Sequence, residues 1–169
     1  MSAQKYLVYA TIASTFILIV WGAYLTAGNW GGACGVGSSS AISSDWPYCN
    51  GSLNVPSPYS PLTYGAFVEY IHRTLSVITA LFVLAALLAV WRMKPRPTGT
   101  YRALFLSFIL LVVQILLGNV VVNSDLNAVI TALHLANATA LFGVLVVSGV
   151  LIRQWERDAP KENKPAGST

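Results

Sequence analysis

Four long apolar blocks, separated by three polar connections, set the organisation of this chain. Tyr6–Ala27 carries no charged residue, nor do Thr74–Trp91, Ala103–Val122 and Ala128–Ile152. None of the blocks alternates with period two, and none leaves a broad polar face of the kind a soluble amphipathic helix shows. A helix needs about 20 apolar residues to cross roughly 30 Å of hydrocarbon. The second block reaches that length if it begins near Tyr64. The pattern therefore predicts an all-α membrane protein, a four-transmembrane-helix bundle with helices at about 6–27, 64–91, 103–122 and 128–152. The first block is read as a retained helix, because its apolar stretch exceeds the roughly 7–15 residues of a signal-peptide core.

Composition agrees, with 55% hydrophobic and 9% charged residues in 169, against about 25% charged in a soluble domain. The positions of the cations predict the orientation. Arg92, Lys94, Arg96 and Arg102 lie between helices 2 and 3, Lys5 lies before helix 1, and Arg153, Arg157, Lys161 and Lys164 lie after helix 4. The long connection Gly28–Pro61 and the short one near Asn123–Asn127 hold no Lys or Arg. By the positive-inside rule both termini are cytoplasmic and the long loop between helices 1 and 2 faces outside. The domain is then 1–152, followed by a disordered cytoplasmic tail at 153–169. The net charge of +4 follows from this asymmetry and gives no reason to expect nucleic acid as a partner.

Both cysteines, Cys34 and Cys49, fall in the long loop. An oxidising compartment favours a disulfide there, and a Gly- and Ser-rich loop has little core of its own. A structural staple is one reading. A redox-active pair is the other, although redox dithiols are usually spaced Cys-x-x-Cys. Trp30, Trp46, Tyr48, Tyr59 and Tyr64 suit a loop folded back on the membrane surface.

The candidate chemistry lies in "EYIHRT" at 69–74, where Glu69, His72 and Arg73 open helix 2. At 1.5 Å per residue His72 lies about 12 Å below the outer boundary and His134, on helix 4, about 9 Å. They are the only histidines, and Gln114 on helix 3 falls in the same layer. Intramembrane ionisable groups are costly and mark function. Two imidazoles at one depth suit axial ligation of a haem between helices. Zinc wants three or four ligands, and the remaining alternative is a pair of interhelical hydrogen bonders. Arg73 follows Glu69 by four residues, a spacing that favours an ion pair. Glu69 is then either its charge partner or a proton-handling carboxylate beside a cofactor. A faint repeat places "LIVWGAYLT" in helix 1 against "ILLGNVVVN" in helix 3, with Gly22 matching Gly118.

With "DWPYCNG", "EYIHRT", "QILLGNVVV" and "LHLANA" in this order, the chain resembles the haem A synthase family of respiratory membranes. Members of that family have eight helices in two four-helix halves, so this chain resembles a half-size member. The resemblance implies a multi-pass cell-membrane oxidoreductase. Such an enzyme oxidises a methyl of haem O to the formyl of haem A, through two hydroxylations and loss of water. It further implies His72 and His134 as axial ligands of the haem iron, whether haem b, haem O or haem A. Glu69 would be the catalytic carboxylate, Arg73 and Gln114 cofactor contacts, and Cys34–Cys49 the loop pair. Implied partners are haem O, a second copy of the chain supplying the other half, and haem O synthase or a terminal oxidase assembly. The chain departs from the family pattern at Leu25, where members commonly carry arginine, and in its longer cysteine spacing. Other readings are a b-type electron-transfer cytochrome without haem-modifying activity, a quinone-coupled disulfide generator and a proton-coupled transporter.

Overall fold

The computed structural model describes residues 3–35, 49 and 53–158. It consists of four α-helices: α1 Ala3–Ala27, α2 Tyr64–Trp91, α3 Thr98–Asn123 and α4 Ala128–Asp158. All four are long and apolar enough to cross a membrane. In hydrocarbon a backbone must satisfy its own N–H and C=O groups, and uninterrupted helices do so within each segment.

Three of the helices are longer than the spans their apolar blocks predict, α1 by three residues at its start and α3 and α4 by more. Helix α3 begins at Thr98, immediately after Pro97, because proline disfavours a helical residue before it and so marks a natural start. Helix α4 continues through Arg153–Asp158, residues the charge pattern assigned to a disordered tail. That extension is held by Ile152, which is fully buried, and by Glu156, whose carboxylate meets Lys5 Nζ at 2.7 Å. The remaining tail, 159–169, lies outside the described residues.

Each helix packs on two neighbours: α1 on α2 and α4, and α3 on α2 and α4. The diagonal pairs α1/α3 and α2/α4 make no packing contact, so the bundle is a four-sided ring. The Lys5–Glu156 pair puts both ends of the helical region at one end of the bundle, here termed the terminal end. The opposite, loop end carries the α1–α2 and α3–α4 connections. In the second of these, Asp125 and Leu126 both adopt left-handed backbone (φ 52° and 59°), unusual for a leucine. Asn127 then caps α4, its Oδ1 accepting the Val129 and Ile130 N–H groups at 3.0 and 3.3 Å.

The larger apolar core lies in the terminal half. Val8, Val83, Val90, Leu104, Leu111, Leu145 and Ile152 form it. No residue of α3 beyond Leu111 is buried, and none of α4 before Ala138. The loop half holds a smaller cluster, Cys34, Cys49 and Ala66, and buries the polar side chains of Glu69 and Arg73 beside it.

Candidate functional site

His72 on α2 and His134 on α4 stand on diagonal helices in the loop half, within electrostatic reach of each other. Each ring lies against a glycine of its hairpin partner. A Cβ at Gly22 on α1 would sit 3.0 Å from His72 Cε1, and a Cβ at Gly118 on α3 would sit 3.2 Å from His134 Cε1. The faint repeat therefore has a physical basis. In both hairpins the absent side chain lets a helix approach the edge of an imidazole. Trp21, next to Gly22, donates its indole N–H to the Val68 carbonyl at 2.9 Å. This ties α1 to the turn of α2 that carries His72.

Both rings keep a buried Nδ1 with no hydrogen-bond partner. Buried polar atoms are rarely left so, and the exceptions concentrate at functional sites. The other nitrogen of His134 is engaged: Gln114 Nε2 lies 3.0 Å from His134 Nε2. Asn137, one turn further along α4, donates to Gln114 Oε1 at 2.7 Å and to the Leu110 carbonyl at 3.0 Å. A chain of neutral amides thus crosses from α4 to α3 and back to the imidazole.

A second cluster closes the loop end. Glu69 is 2% exposed, and its Oε1 accepts from Arg73 Nη2 at 2.6 Å and from Arg73 Nε at 3.1 Å. Its Oε2 accepts the Cys34 backbone N–H at 2.7 Å. Charge-assisted bonds of this kind offset the cost of taking both ions out of water. Cys34 is bonded to Cys49 in a disulfide, and both sulfurs lie against the Ala66 carbonyl oxygen, at 3.4 and 3.8 Å. Through Glu69 and Ala66, helix α2 fixes the disulfide-bearing part of the loop. Trp30 joins the same end, edge-on to Tyr24 and Tyr64, whose hydroxyls share a 2.9 Å hydrogen bond.

The sequence-predicted residues thus fall into two groups. His134 and Gln114 meet between α3 and α4 with His72 on the diagonal helix, while Glu69, Arg73, Cys34 and Cys49 come together at the loop end. No hydrogen bond joins Glu69 to His72 among the described residues. Leu25, where the family pattern has arginine, is buried. Of the loop aromatics, Trp46 and Tyr48 lie outside the described residues, and Tyr59 is almost fully exposed. Sequence reasoning missed Asn137 and Trp21. Asn137 was detectable as an amide three residues after His134, on the same helix face.

No group of three or more His, Cys, Asp or Glu residues is placed to share a metal ion among the described residues. The donor set is a pair of imidazoles on diagonal helices, each with a glycine-backed edge. Two imidazoles would suit a macrocycle that brings its own metal donors better than a tetrahedral ion, which takes three or four ligands from the protein.

Residues 5–169 match the model of the COX15-CtaA family, described as cytochrome oxidase assembly protein. Similar curated proteins include a haem A synthase of Symbiobacterium thermophilum, 30% identical over 94% of this chain and 48% of that protein. Another, of Bacillus licheniformis, is 28% identical over 96% of this chain and 49% of that protein. A third, of Exiguobacterium sp., is 29% identical over 89% and 46%. The chain spans about half the length of the curated relatives it matches. No solved structure matches it.

Proposed function

Since the chain belongs to the COX15-CtaA family of cytochrome oxidase assembly proteins, we propose that it acts in haem A synthesis, oxidising a methyl of haem O to a formyl. The observation that carries this reading is the pair of glycine-backed imidazoles, His72 and His134, on diagonal helices of a membrane bundle. When bound there, haem supplies the redox-active iron. His72 and His134 are the side chains that hold it, and Gly22 and Gly118 leave room for the rings to present themselves. Gln114 is the polar group beside the His134 ligand.

Glu69 is the only carboxylate in the four helices outside the last turn of α4. Its role in this reading is to handle protons released at the substrate methyl, with Arg73 balancing its charge. Cys34 and Cys49 sit at the loop end of the bundle, against the Glu69 cluster. The distribution of Lys and Arg supports cytoplasmic termini and an outside loop. Because the relatives are about twice as long, a homodimer is the assembly that would supply a second half. A monomer with full haem occupancy in detergent would refute that part.

The test is extraction and chromatography of the haems from purified protein, expressed in membranes that supply haem O. Haem A in the wild type, with haem O or a half-oxidised haem accumulating in Glu69→Gln, is the expected result. Loss of bound haem in His72→Ala and His134→Ala should accompany it. A purified protein with no Soret band would refute the reading.

One observation favours a second reading, a b-type electron-transfer cytochrome. Both Glu69 oxygens are already occupied, by Arg73 and by the Cys34 N–H, which suits a structural carboxylate. Unmodified haem that reduces reversibly, with Glu69→Gln leaving the haem type unchanged, would decide for it.

A further inference from the structure

The two imidazoles are backed alike but partnered differently. Gln114 stands four residues before Gly118, and its counterpart four residues before Gly22 is Leu18. Asn137 stands three residues after His134, and its counterpart three residues after His72 is Leu75. The second hairpin therefore carries an amide pair where the first carries two leucines.

Donor and acceptor directions in that pair follow from one fixed point. The Leu110 carbonyl oxygen can only accept, so the Asn137 atom 3.0 Å from it is the NH2 group. The same NH2 lies 2.7 Å from Gln114, so the Gln114 atom facing it is the carbonyl oxygen. The Gln114 NH2 is then the group 3.0 Å from His134 Nε2. An NH2 donates and cannot accept, so that Nε2 is the accepting, unprotonated nitrogen. The ring proton is left on Nδ1, the atom with no hydrogen-bond partner.

We propose that Asn137 is a positioning residue which, through Gln114, fixes the tautomer of His134 so that its Nε2 lone pair is the one available to a metal. The metal part rests on the reading above, in which His134 holds haem iron; the tautomer part does not. The Gln114 N–H occupies that lone pair as a placeholder that a stronger ligand displaces. His72 has leucines in the equivalent places and no such clamp. The pair is therefore asymmetric, with His134 carrying a built-in competitor and so forming the more exchangeable of the two ligations.

The clamp is testable in haem-free protein. His72→Ala leaves His134 as the only histidine in the chain, so 15N-histidine NMR in detergent micelles reads a single imidazole. A neutral hydrogen bond of ordinary strength, about 1 kcal/mol, biases the tautomers by roughly fivefold. The expected spectrum is accordingly that of the Nδ1–H form in excess, against the usual preference of a free histidine for Nε2–H. Adding Asn137→Leu frees Gln114 to turn over and should reduce the excess to a mixture. Gln114→Leu should do the same by removing the donor. Leucine already occupies the equivalent sites of the first hairpin, and helical circular dichroism verifies folding of each variant. A dominant Nε2–H form in the parent, or a tautomer ratio unmoved by both variants, overturns the proposal. A second arm titrates haem into protein with both histidines intact and reads the Soret band. Faster dissociation of the His134 ligand than of the His72 ligand supports the asymmetry, and equal rates overturn it. If the clamp is present by NMR and no haem binds, the haem reading fails while the assignment to Asn137 stands.

Discussion

Glu69 Oε2 accepts the backbone N–H of Cys34 at 2.7 Å, so the buried carboxylate of α2 is also an anchor for the disulfide-bearing loop. Its other oxygen carries Arg73, and the three groups form one neutralised cluster beneath the loop.

Removing the charge of either ion should therefore cost stability as well as any chemistry. Arg73→Gln strands a carboxylate that is 2% exposed, and breaking a buried pair costs about 3–5 kcal/mol. Glu69→Gln removes the carboxylate facing Arg73 and should be similar or milder, because its amide oxygen can still accept the Cys34 N–H. The double variant Glu69→Gln, Arg73→Gln should recover most of the loss. Unfolding midpoints of the three variants in one detergent check this, and additive losses in the double variant would sink the paired-cluster account.

Gly22 and Gly118 lead to a graded prediction. Alanine at Gly22 places a methyl 3.0 Å from His72 Cε1, and at Gly118 one 3.2 Å from His134 Cε1. The imidazoles must move by a few tenths of an ångström, and overpacking of this kind costs about 1–3 kcal/mol. Haem retention should weaken on the order of tenfold in Gly22→Ala and less in Gly118→Ala. Gly143 has open space where its Cβ would be, so Gly143→Ala is the matched control and should be neutral. Equal retention in all three variants, measured by haem-to-protein ratio after detergent exchange, would remove any role for the close approach.

The helices were legible in the sequence because hydrocarbon imposes one condition on every residue that crosses it. Uncharged runs long enough to span are rare by chance. Gln114 and His134 were legible as neighbours because a helix converts residue number into height at a fixed rise, and their side chains meet at 3.0 Å. The end of α4 was not. Arg153–Asp158 are charged and look like a tail, and they are helical because Glu156 meets a lysine 151 residues away in sequence. The second partner of Glu69 was hidden for a related reason: a backbone N–H leaves no trace in sequence. Asn137 escaped because a neutral amide in an apolar helix reads as a minor flaw until its partner on another helix is known.

The disulfide closes a loop with a sequence separation of 15, and a cross-link of that span contributes about 3 kcal/mol by restricting the unfolded chain. The double variant Cys34→Ser, Cys49→Ser should lower the unfolding midpoint and expose the loop to limited proteolysis. It keeps the residue-34 N–H that Glu69 accepts, so bound haem should fall less than in His72→Ala. A haem loss equal to that of His72→Ala would show instead that the disulfide shapes the ligand pair directly.

At the terminal end, Lys5 and Glu156 form a pair with side chains 8% and 16% exposed. It joins the first turns of α1 to the last turns of α4, where the helices would otherwise fray. Lys5→Met should destabilise the protein by about 1–3 kcal/mol, less than a fully buried pair, because the carboxylate left behind retains some access to water. The exchange variant Lys5→Glu, Glu156→Lys should restore much of the loss if attraction between the two ends is what matters. Hydrogen exchange resolves the location: protection should fall in Arg153–Asp158 of Lys5→Met and stay unchanged around His134. Uniform loss along α4 would mean that this ion pair stabilises the whole bundle, and not its terminal turn alone.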